Sequence, residues 1–203
     1  MELIQRRRVL LAAWKKTRLP KEFQEVEYLE STGTQRIRLG NSVPTSKYKF
    51  YFKLSPTRLH GGSNSKYNGI MGANSSPQVG FYAGGWTTGI AHSAIPYPPE
   101  VGQIYEIVYS KDFDGSYWVD GYDTTIKRTG NMTLNLFWVE SQSTNVFVKL
   151  YHAWAISNTD EYLYDIIPCY RKADNKPGLF DLINNTFYTN NQTGEFIVGP
   201  NVN

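Results

Sequence analysis

Polar and apolar residues alternate along most of this chain with the two-residue period of strands lying on a core. The pattern is clearest over residues 48–54 (YKFYFKL), where Tyr48, Phe50, Phe52 and Leu54 fall on one side and Lys49, Tyr51 and Lys53 on the other. The wetter second side predicts an antiparallel sheet with one face open. Shorter runs precede it at 26–30 (VEYLE) and 35–39 (QRIRL), with a turn at 31–33 between them. Further strands are predicted at 70–72, 79–83 and 86–91, with Ala83-Gly84-Gly85 as a hairpin turn. Pro96, Pro98 and Pro99 predict an edge loop over 93–100. A meander follows at 103–109, 116–120 and 124–128, turned by Asp114-Gly115 and by Gly121. The most apolar runs, 133–139 (TLNLFWV) and 146–156 (VFVKLYHAWAI), read as central strands. In the second, Val146, Val148, Leu150 and His152 face one way and Phe147, Lys149, Tyr151 and Ala153 the other, until a bulge resets the alternation. About a dozen such runs predict an all-β, two-sheet antiparallel β-sandwich.

The first 21 residues break this pattern. Leu3, Ile4, Leu10, Leu11 and Trp14 share a broad face of a short helix, with Arg6, Arg7 and Lys15 around the remainder and Pro20 as its stop. Residues 1–21 hold seven basic groups, Arg8 among them, against Glu2, a charge of +6; the other 14 basic and 17 acidic residues give the body −3. That asymmetry divides the chain into a basic amphipathic arm, 1–21, and a body, 22–203. A helix this short is marginal alone, so the arm needs a host: the body of the same chain, a membrane surface or a partner protein, of which the partner protein is the expected one. The acidic body offers no basic track for nucleic acid. The apolar run 9–14 (VLLAAW) is too short for a secretory core, and no stretch is long enough to span a bilayer, so no membrane role is expected.

Aromatics are 15% of the 203 residues, a share that suits pleated surfaces better than a helical bundle. The single cysteine, Cys169, allows no intrachain disulfide and reads as a small buried hydrophobe. His60, His92 and His152 have no ligand spacing, so no metal site is expected. Asp112, Asp114, Asp120 and Asp123 flank Gly115 and Gly121 and read as hairpin-turn residues; the twelfth position from Asp112 is Asp123, where a calcium loop needs Glu. No nucleophile elbow, phosphate loop or dinucleotide fingerprint appears, so neither catalysis nor a cofactor is expected. Tyr82, Trp86, Tyr97, Tyr117 and Trp118 lie close to turns, and aromatic faces there are candidate glycan contacts.

Three segments carry a family resemblance. Residues 24–35 (QEVEYLESTGTQ), Trp118-Val119-Asp120-Gly121, and the closing stretch 167–200 with Pro168-Cys169, Arg171-Lys172, Gly178-Leu179, Asp181-Leu182, Phe187-Tyr188, Gly194 and Gly199-Pro200 together resemble concanavalin-like, laminin-G-like modules of phage virion proteins and related bacterial surface proteins. The arm, with Arg7-Arg8 and Leu10-Leu11, is similar to leaders before this module in phage-type proteins. The resemblance implies a concanavalin-like jelly roll on a virion surface, as head fibre, decoration or tail protein, assembled in the host cytoplasm. It also implies docking on other virion proteins through residues 1–20, and a homo-oligomer, a trimer by analogy. The alternative it leaves open is a lectin-like module for host-surface glycans. Glycosidases of this fold carry a Glu-x-Asp-x-x-Glu pattern; here Glu25 and Glu27 stand on the opening strand and Glu106 alone. One departure is a basic opening strand, with Arg36 and Arg38 where the group has Tyr and Asp, so no binding role is carried over to it.

Overall fold

The strand Tyr48–Pro56 shows how the alternation becomes structure. Phe50, Phe52 and Leu54 are buried to 1% exposure or less, while Lys53 on the opposite face is exposed. The computed structural model describes residues 19–59, 68–72, 77–87, 92–93, 98–137 and 146–202, and among these there are strands and turns but no helix. The arm residues Leu3, Ile4, Arg6, Arg7, Arg8, Leu10, Leu11 and Trp14 lie outside the described residues, as do Tyr97 and His60.

Numbered in chain order, eleven strands form one large sheet. Its path runs β12 (Tyr122–Lys127), β11 (Ser116–Val119), β10 (Tyr105–Tyr109), β5 (Tyr48–Pro56), β15 (Phe147–Ser157), β16 (Tyr162–Arg171), β17 (Lys176–Asp181) and β18 (Thr186–Thr189). Off this path lie β1 (Phe23–Glu25), β2 (Leu29–Thr32) and β19 (Ile197–Val198). A six-stranded sheet has the order β3 (Ile37–Arg38), β14 (Asn135–Leu136), β6 (Asn68–Gly72), β7 (Gln78–Tyr82), β8 (Gly85–Thr87) and β9 (His92–Ser93). β4 (Val43–Pro44) and β13 (Asn131–Met132) form a separate two-stranded sheet among the described residues. Among the described residues the fold is thus all-β, antiparallel, multi-sheet and not a barrel, with three sheets where two were expected. Proline contributes to the separation, because Pro44 has no N–H with which to extend a ladder.

Long β15 is central, as its apolar pattern predicts, and it carries the expected bulge. The register against β5 shifts between Leu150 and His152. Tyr151 and His152 are both half-buried, while Ala153 and Ala155 are fully buried, so His152 does not share the side of Val148 and Leu150. The run 133–139 corrects the other expectation of a central strand. Its described part pairs over only two residues, β14, joining β3 to β6, and Phe137 takes a left-handed φ of 64° that ends the extended run. Of the strand expected over 86–91, residues 86–87 belong to β8, and 88–91 lie outside the described residues.

The two ends of the body interlock. β15 and β16 pair over Ala153–Ile156 and then diverge; β2 pairs with Phe147–Leu150 on one, and β1 with Cys169–Arg171 on the other. β19 lies on β2, and Val26 bridges Asn201. Gln35, fully buried, locks the opening turn. Its Oε1 accepts the Thr32 N–H at 2.9 Å, and its Nε2 donates to the Glu195 carbonyl at 2.8 Å. Asn190 answers from the other side, its Oδ1 accepting the Arg36 N–H at 2.9 Å and its Nδ2 donating to three carbonyls of its own turn, Gln192, Thr193 and Gly194. The hairpin at Asn184-Asn185 forms as expected, with Asn185 at φ 49° and Asp181 opposite Thr186.

One core cluster fills the space between the sheets, with Trp86, Tyr109, Tyr117, Phe50, Phe52 and Phe81 its largest members. A smaller cluster of Leu19, Ile167, Cys169 and Phe180, flanked by Phe23 and Phe187, forms separately.

Candidate functional site

The aromatic side chains singled out in the sequence do not converge. Trp86 and Tyr117 are wholly buried, edge-on to each other at 6.2 Å, and the Tyr117 hydroxyl donates to the Gly80 carbonyl at 3.1 Å. Neither has a free face for a sugar ring. Tyr82 is half-buried at the β7–β8 hairpin. Trp118 is half-buried with the Lys111 ammonium 3.7 Å from its ring centroid, and its indole N–H is buried with no acceptor. Its neighbours across the sheet are Val108, Tyr51, Trp154 and Asp165 in turn. Tyr51 and Trp154 stack at 4.8 Å with planes 2° apart, and His152 stacks on Trp154 at 4.5 Å. Those ring faces cover one another, so the row acts as cross-strand pairing within the sheet. His152 Nε2 lies 2.5 Å from Asp165 Oδ1, which fixes the imidazole beside this stack.

The acidic candidates serve turns. Asp114 pairs with Lys127 and accepts the Ser116 N–H at 3.0 Å, and the hydrogen bond from Lys127 holds its carboxyl well below the usual range. Asp120 accepts the Glu106 N–H at 2.7 Å, and Asp123 the Thr125 N–H at 2.8 Å. Asp181, 1% exposed, accepts N–H groups from Asp165, Ile183 and Asn184 on Oδ1 and the Asn184 carboxamide on Oδ2, leaving little capacity for acid–base work. Among the described residues no three His, Cys, Asp or Glu side chains gather as metal ligands.

Cys169 is fully buried. Burial, with the Glu25 charge as a lesser cause, pushes its thiol up to about 12. The thiolate is the reactive form, so the native protein should resist a thiol-specific reagent and react fully once denatured. A thiol assay with and without denaturant checks this; rapid native reaction would contradict the burial of Cys169.

A polar cleft lies elsewhere, on the β3–β14 strand pair. In β3, Ile37 is buried and paired with Leu136, while Arg38 pairs with Asn135. Cross-strand partners point to the same face and residues two apart share it, so Arg36, Arg38, Thr133 and Asn135 lie on one side. With Gly40, Asn41 and Ser42 they line a cleft of about 250 Å³ that holds two guanidinium groups and no carboxylate. Arg36 Nε donates to Asn191 Oδ1 at 3.4 Å, and Ser42 and Thr133 share a hydroxyl–hydroxyl bond of 3.1 Å. Arg38 is exposed and has no carboxylate partner among the described residues. Asn135 is 4% exposed, and its Oδ1 is buried without a hydrogen-bond donor. Gly40 and Asn41 also line a second hollow of about 210 Å³, walled by Leu39, Leu163 and Tyr188. Sequence reasoning noticed Arg36 and Arg38 only as a departure, and missed Asn135 because its run reads as a buried strand.

No protein-family model, no curated protein and no solved structure matches the chain.

Proposed function

We propose that this chain is a non-enzymatic phage virion structural protein, a head-fibre, decoration or tail-associated module that displays a concanavalin-like β-sandwich and is held on the particle through its N-terminal arm. The observation that supports this reading is the lacing of the opening and closing segments. The residues that carry the resemblance, 24–35 and the closing stretch, meet through Gln35, Asn190, the β2–β19 pair and the Val26–Asn201 bridge. They therefore act as one structural unit, and the arm enters the body beside that unit at Leu19, which belongs to the Cys169 cluster. A homo-oligomer, with three subunits as the first candidate, belongs to the same reading; sedimentation of the full chain as a 23.2 kDa monomer would count against it.

The test is incorporation. Particles should be prepared with the full-length protein and with one lacking residues 1–18, a cut that keeps Leu19. The truncated protein is expected to melt as the full chain does and to be absent from particles. Trp14→Ala should weaken incorporation strongly and Arg6→Ala modestly, the latter more at low salt. Truncated protein in particles at the full-length level would end the reading.

A second reading, glycan binding, is favoured by the polar cleft lined by Arg36, Arg38, Asn41, Ser42, Thr133 and Asn135. A glycan array probed with the full chain tests it.

A further inference from the structure

We infer that β18 is the surface on which two copies of this chain pair, edge to edge and antiparallel about a two-fold axis; this rests on the homo-oligomer in the proposed reading and names its interface, with a pair as the assembling unit where the resemblance implies three. The path of the large sheet ends in two strands, β12 and β18, and neither has a second strand partner among the described residues. A strand edge presents unpaired N–H and C=O groups that template pairing with another chain, so the side chains and backbone of each edge decide what it can join.

The two edges differ. On β12, Asp123 and Lys127 are exposed charges, and the register against β11 shifts between Ser116 and Trp118. Thr125, a β-branched residue, takes a left-handed φ of 61°, and its N–H turns to Asp123 Oδ1 at 2.8 Å, where it cannot serve a new ladder. These are the devices that blunt an edge. β18 carries none of them. It reads Thr186-Phe187-Tyr188-Thr189, without charge or proline, and meets β17 in unbroken register from Asp181 opposite Thr186 to Gly178 opposite Thr189. None of its four residues has a left-handed φ, and β-branched and aromatic residues favour extended backbone. The Asn184-Asn185 hairpin bounds one end of this edge. The turn at Asn190 and Asn191, bonded to the Arg36 backbone, bounds the other.

The charge pattern points to a second copy as the occupant. Two-fold symmetry sets a charged strand against its own duplicate, so a charged edge repels itself and an uncharged one does not. Antiparallel neighbours share a face, so a two-fold axis perpendicular to the sheet, which continues both faces, pairs residues an even number of positions apart. Placed at Phe187, that axis brings the two Phe187 side chains together. Each is half-buried and packs on Phe23 at 4.8 Å, beside Ile167, Cys169 and Phe180, so the two clusters join into one apolar strip across the junction.

Sedimentation equilibrium of the full chain at micromolar concentration should give twice the 23.2 kDa of one chain. Phe187→Lys sets like charges directly opposite each other and should weaken self-association about 10-fold or more, whereas Thr125→Lys on the β12 edge should leave it unchanged. Phe187→Cys keeps a small apolar side chain and should cross-link into a disulfide dimer on mild oxidation, because directly paired Cα atoms stand about 4.5–5.5 Å apart, within disulfide reach. Thr125→Cys should stay uncross-linked, and the native Cys169 is buried and does not compete. A monomer at every concentration would overturn the β18 pairing and the homo-oligomer together, while attachment through the arm is judged by incorporation. An oligomer that withstands Phe187→Lys and leaves Phe187→Cys uncross-linked would overturn the β18 pairing and leave the homo-oligomer standing. A trimer would overturn the two-fold axis in the same way.

Discussion

Trp86→Ala is expected to lower the unfolding free energy by about 3–5 kcal/mol, the range for deleting a large buried aromatic. Trp86 has no exposed surface, and it packs edge-on against Phe81 at 5.8 Å, Tyr105 at 5.0 Å and Tyr117 at 6.2 Å. Its removal strips three rings of their common neighbour at once, beyond the loss of its own burial. These rings come from β7, β8, β10 and β11, so the damage crosses from the six-stranded sheet to the large one. For a chain of this size the melting midpoint should fall by roughly 6–20 °C. Trp86→Phe should recover much of the loss, because a ring still fills part of the space. Tyr82→Ala, at the half-buried hairpin next door, should cost far less. Thermal denaturation of the three variants makes the comparison. A small loss for Trp86→Ala would mean that the residue is not the hub of the inter-sheet core.

The same residue shows where the sequence stops being informative. Trp86 and Tyr117 lie close to turns in the chain, and nearness to a turn says nothing about which face a side chain takes. Their burial follows from strand pairing between segments far apart in sequence, which no local pattern encodes. The alternation in residues 48–54 was legible because it is local, and Phe50, Phe52 and Leu54 are buried as it predicts. The polar punctuation of the closing stretch was legible too, since Asn184-Asn185 supplies the hairpin on its own. Tyr51 carried a signal that is easy to pass over: an aromatic between Lys49 and Lys53 on the wetter face. It stacks on Trp154, more than a hundred positions away.

The candidate site was half legible for a related reason. Arg36 and Arg38 break an otherwise familiar stretch, and their spacing puts them on one face of a strand. Asn135 sits in TLNLFWV, whose apolar neighbours suggest a continuous central strand. Pairing there stops after two residues, and Phe137 turns left-handed. Composition ranked this run correctly as buried, since Leu134, Leu136 and Phe137 all are, but burial and strand length are separate properties. A buried Asn without partners can be recognised only once its surroundings are known.

Alkaline pH should unfold this protein steeply, and the slope should identify the residues responsible. Tyr109, Tyr117 and Tyr164 are buried, and burial pushes all three hydroxyls well above their ordinary value of 10.0. In the unfolded chain they ionise near that ordinary value. Above about pH 10 the unfolded state therefore binds fewer protons than the folded state, and stability falls as pH rises. Each such group removes about 1.4 kcal/mol per pH unit, so three together remove about 4 kcal/mol per unit. A domain with an ordinary reserve of about 5–15 kcal/mol would exhaust it within a few pH units. Tyr51, Tyr105, Tyr151 and Tyr188 are also raised by burial and act in the same direction, more weakly because each is less enclosed. Tyr164→Phe isolates the effect. The Tyr164 hydroxyl makes one weak hydrogen bond, to Met71 Sδ at 3.7 Å, so its loss should matter little at neutral pH. The variant should nevertheless lose about 1.4 kcal/mol per pH unit of the alkaline slope, the share of one buried hydroxyl. Tyr117→Phe should behave differently, costing about 1 kcal/mol at neutral pH through its lost bond to the Gly80 carbonyl. Denaturant unfolding at a series of pH values, followed with tyrosinate absorbance, measures both quantities. A folded protein whose tyrosines all titrate at the ordinary value, or a Tyr164→Phe variant with an unchanged alkaline slope, would refute the assignment of this instability to the buried hydroxyls.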